Sequence, residues 1–287
     1  MKSLIPSIVA SIYLSVCATS GQVAGTTANQ TPKIVRSEDG SNVATIYTYS
    51  HEPLRDALLL VNREYGWDVN YEEGPVVNPS EIVDDRTEEG RSPHPDGHIN
   101  YEPNGQPFRS SFKELRPHEA DEAAVLAQLL SDYNMSSNPG RYGLVRTSSG
   151  GYSVVGTRYK DQNGVEQAFT APLSCPISIT IGPTDLPTAL NLVATQVNQL
   201  CRVSLSAKYG ASFYTAIRVA GTYSHQSARE VIDLLLRQAE GGRLYYSVGY
   251  APVEGVFYLT VAPVFKRVVQ PDGGTILVPV GKKSRKS

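Results

Sequence analysis

The sequence predicts an α+β protein built from two helix-on-sheet modules with small mixed sheets. Three observations carry that prediction. Apolar residues recur at the helical period in four separate segments, and short apolar or alternating runs lie between and after them. Gly, Pro, Asn and Asp clusters separate the segments at turn-like intervals. With 287 residues, 40% of them hydrophobic, the chain is long and apolar enough to bury a substantial core. A net charge of −2 gives no general attraction to phosphates, so nucleic acid is excluded as a partner. The 17 tyrosines, against six Phe and one Trp, are the compositional oddity.

In order along the chain, Met1-Lys2 gives a short positive start, and residues 4–16 are apolar-rich with Pro6 interrupting them. Val16-Cys17-Ala18 places small residues at the −3 and −1 positions of a signal-peptidase site, which predicts a signal peptide over 1–18 and export to the periplasm or beyond. The apolar stretch is too short to span a bilayer, so no membrane span is expected once it is removed. Leu14-Ser15-Val16-Cys17 also approaches a lipobox, with Val16 where a smaller residue is expected, and lipidation of Cys17 is the second reading. Cleavage leaves Cys175 and Cys201, an even pair that reads in an exported chain as one disulfide.

Residues 19–42 lack apolar period and read as a flexible leader. Residues 43–170 form the first expected module. A strand over 43–49 precedes a helix whose face carries Leu54, Ala57, Leu58, Val61 and Tyr65, with Pro53 in its first turn and Gly66 at its stop. Residues 67–71 alternate as a strand. The segment 73–117 holds seven Pro and four Gly, and residues 72–90 carry seven acids against Arg86 alone; this reads as a solvated insertion. A second helix is expected from Pro117 to Tyr133, followed by a strand pair around Ser149-Gly150-Gly151 and a turn at residues 161–164.

Residues 171–262 form the second module. Residues 175–181 alternate as a strand, Leu186, Ala189, Leu190, Val193 and Val197 mark a helix, and residues 203–205 return to strand. A strand over 217–223 leads into a helix carrying Ala228, Val231, Ile232, Leu235 and Ala239, capped by Ser224 or Ser227 and stopped at Gly241-Gly242. Strands over 243–250 and 256–261 close the module. Residues 263–287 contain a hairpin turning at Pro271-Asp272-Gly273-Gly274 and a basic tail, Lys282 to Lys286.

Three segments, 54–71, 186–205 and 228–248, share one grammar of apolar helix face followed by strand. Leu54/Ala57/Leu58/Val61 match Leu186/Ala189/Leu190/Val193 in spacing. The run Val219-Ala220-Gly221-Thr222-Tyr223, then residues 227–236, then Leu244-Tyr245-Tyr246-Ser247-Val248 resembles the secretin and TonB short N-terminal domain, over about residues 171–262 and more faintly 43–72. The resemblance implies a small periplasmic α+β module that works by contacting other proteins. The chain departs from that family in its acidic insertion and in showing no outer-membrane barrel or secretin domain after the module. A parallel β-α-β unit would also bring Cys175 and Cys201, at the starts of two strands, to the same end of one sheet.

No catalytic, metal or cofactor site is assigned. His94, Asp96 and His98, with His118 and Glu119 further on, include metal-ligand types, yet they lie in a Pro/Gly loop without a fixed helical face. Ser110-Ser111-Phe112-Lys113 has S-x-x-K spacing and Ser136-Ser137-Asn138 an S-x-N order, but Lys208-Tyr209-Gly210 fails the third element. His51, Glu52, His225 and Gln226 sit at helix starts, where capping explains them. Tyr245, Tyr246, Tyr250 and Tyr258 form either a binding face or ordinary sheet packing. The expected function is a non-enzymatic module that contacts another envelope protein through sheet edges or the tyrosines. The alternative is a secreted hydrolase or carbohydrate-binding protein with a cleft lined by the acidic insertion.

Overall fold

A computed structural model describes residues 31–84, 101–208, 212–239, 242–270 and 274–281. The expected signal peptide with Cys17, the loop carrying His94 and His98, and the tail 282–286 lie outside the described residues. The first half runs β1 (Lys33–Arg36), β2 (Val43–Thr48), α1 (Pro53–Tyr65), β3 (Asn70–Glu72), β4 (Ile82–Asp84), β5 (Tyr101–Pro103), β6 (Phe108–Lys113), α2 (Glu122–Met135), β7 (Arg141–Arg146), β8 (Tyr152–Lys160) and β9 (Glu166–Ala168). The second half runs β10 (Pro176–Asp185), α3 (Leu186–Cys201), β11 (Leu205–Lys208), β12 (Arg218–Ser227), α4 (Ala228–Leu236), β13 (Leu244–Ala251) and β14 (Val256–Pro263), followed by β15 (Phe265–Val269) and β16 (Thr275–Pro279). The class is α+β.

The helices begin and end where their sequences direct. Asp121, Asp185 and Ser227 each accept a hydrogen bond from a backbone N–H three residues on, capping α2, α3 and α4. Gly66 ends α1 in the left-handed conformation at φ 70°, which a side chain would strain. The apolar stripes of α1 and α2 close one core, and those of α3 and α4 close another.

Both cores rest on one seven-stranded sheet. Its order is β11-β14-β13-β3-β8-β7, with β9 paired to β8. The seam between the halves is β13 beside β3, parallel, with Ser247 opposite Tyr71 and Val248 opposite Glu72. Tyr71 belongs to the α1/α2 core, whereas Val248 belongs to the α3/α4 core. Residues opposite one another in register share a face, so the two helix pairs lie on opposite faces of the shared sheet.

The halves repeat one topology. In each, an antiparallel pair (β2 with β6, β10 with β12) lies apart from the main sheet. Each half then adds a hairpin (β7 with β8, β13 with β14) and one strand parallel to it (β3 on β8, β11 on β14). The side chain of Asn62 brackets Val69, donating to its carbonyl at 3.1 Å and accepting from its N–H at 3.2 Å. Asn198 brackets Leu205 in the same way, at 2.9 and 2.7 Å. These twin clamps align Val61 with Val197, one helical turn beyond the spacing match with Val193. Asn134 brackets Tyr142 likewise, at 2.8 and 2.9 Å, and marks a fourth helix–strand unit, α2 with β7, beside the three that the sequence displays.

Several expectations are corrected. Lys33–Arg36, part of the expected flexible leader 19–42, is a strand paired with β2. The insertion 73–117 contains β6, whose Phe108, Ser110 and Phe112 are buried against the first core while the residues between them are exposed. The second helix starts at Glu122 rather than Pro117, because His118 takes φ 66° and breaks the helical path. Cys175 and Cys201 are bonded, with Cα atoms 6.1 Å apart. They do not start adjacent parallel strands, however: β10 pairs antiparallel with β12, while β11 lies in the large sheet. The bond ties the last residue of α3 to the chain entering β10.

Candidate interaction surfaces

The seam is fastened by buried charge. Arg229 of α4 donates from Nε to Oε1 of Glu72 at 2.5 Å and from Nη2 to Oε2 at 3.0 Å, and Nη2 also reaches Ser174 Oγ at 3.0 Å. Tyr246 Oη donates to Glu72 Oε1 at 2.8 Å and lies 3.2 Å from Ser153 Oγ. Glu72 and Tyr246 are fully buried. Burial, reinforced by the adjacent Glu72 charge, pushes the Tyr246 phenol well above its ordinary range. The next residue, Glu73, is also buried and accepts from the Tyr250 N–H at 2.8 Å. Burial first, and the nearby Glu52 second, push its carboxyl up to about 8. These groups satisfy one another inside the protein, and their chemistry is that of a joint.

A second polar cluster pins β1. Arg36 donates to Glu114 at 2.9 Å through both Nε and Nη2, and Nη2 reaches Glu64 at 2.6 Å. Tyr65 Oη donates to Glu114 at 2.6 Å, and His118 Nδ1 lies 2.6 Å from Glu64. Burial opposes ionisation of Glu114, but the hydrogen bonds from Arg36 and Tyr65 outweigh it and hold the carboxyl below its ordinary value.

The sequence candidates separate in space. His118 is engaged with Glu64, and Glu119 pairs with Arg116. No group of three metal-ligating residues converges among the described residues. Ser110 is buried and donates to Asp132 at 2.6 Å. Lys113, three positions along the same strand, therefore points to the opposite face, which breaks the S-x-x-K geometry. The four tyrosines do not share a face either. Tyr246 is inside the seam and Tyr250, on the same face, leans on Phe257 with ring centres 4.8 Å apart, while half-buried Tyr245 and Tyr258 lie on the other face, Tyr258 under Lys208, 3.4 Å from its Nζ.

Two cavities meet over Gly242, Arg243 and Leu244 at the start of β13. One, about 530 Å³, carries the acids Asp68, Glu122 and Asp233. None of these comes from the insertion 73–117, so that segment does not supply the acids of this cleft. Asp68 is held by Arg243 and Asp233 by Arg237. The other, about 630 Å³, is walled largely by apolar side chains, including Ile217, Val264 and Phe265.

The open surfaces are at the margins. The β15–β16 ribbon leaves Val268, Val269, Ile276, Leu277 and Val278 exposed, and β15 lies along α1. The large sheet ends on β7 at one side and β11 at the other. Comparison with protein-family models, with curated proteins and with solved structures finds no match. No helix among the described residues is long and apolar enough to cross a membrane.

Proposed function

We propose that the chain is an exported, non-enzymatic interaction module of the bacterial envelope that binds another envelope protein. The observation that carries this reading is the β15–β16 ribbon. A two-stranded hairpin is marginal by itself in water, and this one exposes five aliphatic side chains beyond the two cores. Val268, Ile276 and Val278 share one face of the ribbon and Val269 and Leu277 the other. Exposed apolar surface of that kind marks a contact site, and the unpaired outer edges of the two strands allow a partner strand to be added. The export signal and the resemblance to the secretin and TonB short N-terminal domain support the periplasm as the place. The test is a cross-linked pull-down from envelope extract with the whole chain and with V268D/L277D. A partner captured by the parent and lost with the variant, while the variant keeps its thermal transition, agrees with the reading; equal capture by both rejects the ribbon as the contact.

A further inference from the structure

The two ends of the large sheet are copies of the two strands that already join at its centre. In the internal seam, β13 of the second half meets β3 of the first. The strand that corresponds to β13 in the first half is β7, because Leu144 lies opposite Val154 as Val248 lies opposite Leu259. The strand that corresponds to β3 in the second half is β11, because Ala207 lies opposite Leu259 as Tyr71 lies opposite Val154. β7 and β11 are the strands at the two ends of that order, each paired on one side only.

We infer that this protein associates head to tail with further copies of itself, β7 of one copy adding in parallel to β11 of the next. The internal seam fixes the register. Ser247 opposite Tyr71 becomes Gly143 opposite Ala207, and Val248 opposite Glu72 becomes Leu144 opposite Lys208.

The backbone is set for it. Glu73 N–H donates to the Val248 carbonyl across the seam at 2.9 Å, so Val248 turns its peptide groups outward from its own hairpin. Leu144 has the same phase in β7. The Asn62 clamp occupies the outward groups of Val69 and leaves those of Tyr71 for the seam. The Asn198 clamp occupies those of Leu205 and leaves those of Ala207. Strand directions agree as well. β13 runs with β3, and the halves are turned over relative to one another, so β7 and β11 of one molecule run the same way. A neighbour related by translation therefore meets in parallel.

Burial marks the difference between used and unused copies. β3 is buried at all three of its residues, whereas Val145 and Arg146 of β7 and Ser206 and Lys208 of β11 are exposed. The charge at the joint is reversed but still complementary. In the seam Glu72 lies under the start of α4 and meets Arg229. Its counterpart Lys208 would come under the start of α2, where Asp121 is the cap and Glu122 lies in the first turn. An interface made of two different patches is heterologous, so each molecule can take two neighbours. This inference is independent of the ribbon and its envelope partner.

The experiment is sedimentation of the whole chain over a concentration series up to about 1 mM, with two edge-blocked variants. L144P and A207P each remove one outward N–H from an end strand without touching the ladder inside the sheet. The parent is expected to gain mass with concentration through two copies and beyond. Each variant alone is expected to remain a monomer or lose most of that association, and an equimolar mixture to form a one-to-one pair and stop there, because only one good joint is left. A parent that stays monomeric, a variant that self-associates like the parent, or a mixture that does not pair overturns the inference. Should either proline variant lose its fold, G143C/A207C replaces it: under oxidation it should give a non-reducing ladder of dimers, trimers and higher species. No ladder, or a ladder that each single-cysteine variant gives equally, is the overturning result.

Discussion

The Arg229 guanidinium grips both oxygens of the Glu72 carboxylate across the seam, joining α4 of one half to β3 of the other from 157 residues away. Glu72 is fully buried and Arg229 nearly so. Breaking such a pair leaves a charge without a partner in a dry site, which costs about 3–5 kcal/mol, whereas removing both charges together is often close to neutral. Arg229→Met should therefore lower stability by that order, and E72M/R229M by clearly less, although Tyr246 then loses an acceptor. Urea unfolding of the two single variants and the double variant checks this. A double variant as unstable as the sum of the singles would show that the pair does not act as a unit.

Glu73 predicts a pH dependence with a definite sign. Its folded carboxyl titrates at about 8, while an unfolded one titrates near 4.3. Between those values the folded state holds a proton that the unfolded state has released. Stability therefore falls as pH rises through that window, and the cost is fully present only above the folded value. Glu73→Gln keeps the acceptor for the Tyr250 N–H and removes the titration. Its unfolding free energy should exceed the parent's at about pH 8 and approach it near pH 5, a spread of about a few kcal/mol. Parallel profiles for the two proteins across that range would refute the assignment.

The twin asparagine clamps should behave alike. Asn62→Leu and Asn198→Leu each remove two hydrogen bonds to a strand backbone and leave an N–H and a C=O behind. Each should cost about 2 kcal/mol. Hydrogen exchange at the amides of Val69 and Leu205 reports the local effect, with faster exchange expected in the matching variant only.

Cys175 and Cys201 close a loop of 26 residues, and cross-linking a loop of that size stabilises by about 3 kcal/mol. Cys175→Ser with Cys201→Ser should lower the melting temperature by several degrees. Thiol titration of the denatured parent under non-reducing conditions should find neither cysteine free. Two titratable thiols at these positions would contradict the bond.

Helices were the most legible part of the chain, because a buried stripe on a helix leaves a period that survives any tertiary arrangement. Leu54, Leu58 and Val61, or Val231, Ile232 and Leu235, are core residues for the reason their spacing suggests. β6 was hidden for a different reason. Its alternation of Phe108, Ser110 and Phe112 is present, but it sits among prolines and glycines that read as loop, and its buried serine interrupts the apolar signal. The open ends of the sheet left no mark at all. Which strand is an edge depends on long-range pairing, and β7 and β13 carry similar patterns although one is covered and the other is not. The asparagine clamps were readable only in hindsight, since an Asn seven residues before a strand is common and its meaning needs the backbone it touches.

The seam between the halves rests on a pairing only two residues long. Within one chain that is enough, because the intervening polypeptide keeps the two strands at a high effective concentration. Two separate molecules offered the same joint have no such tether. Their assembly would be governed by local density, absent from a dilute solution and switched on wherever a shared anchoring surface gathers several copies side by side.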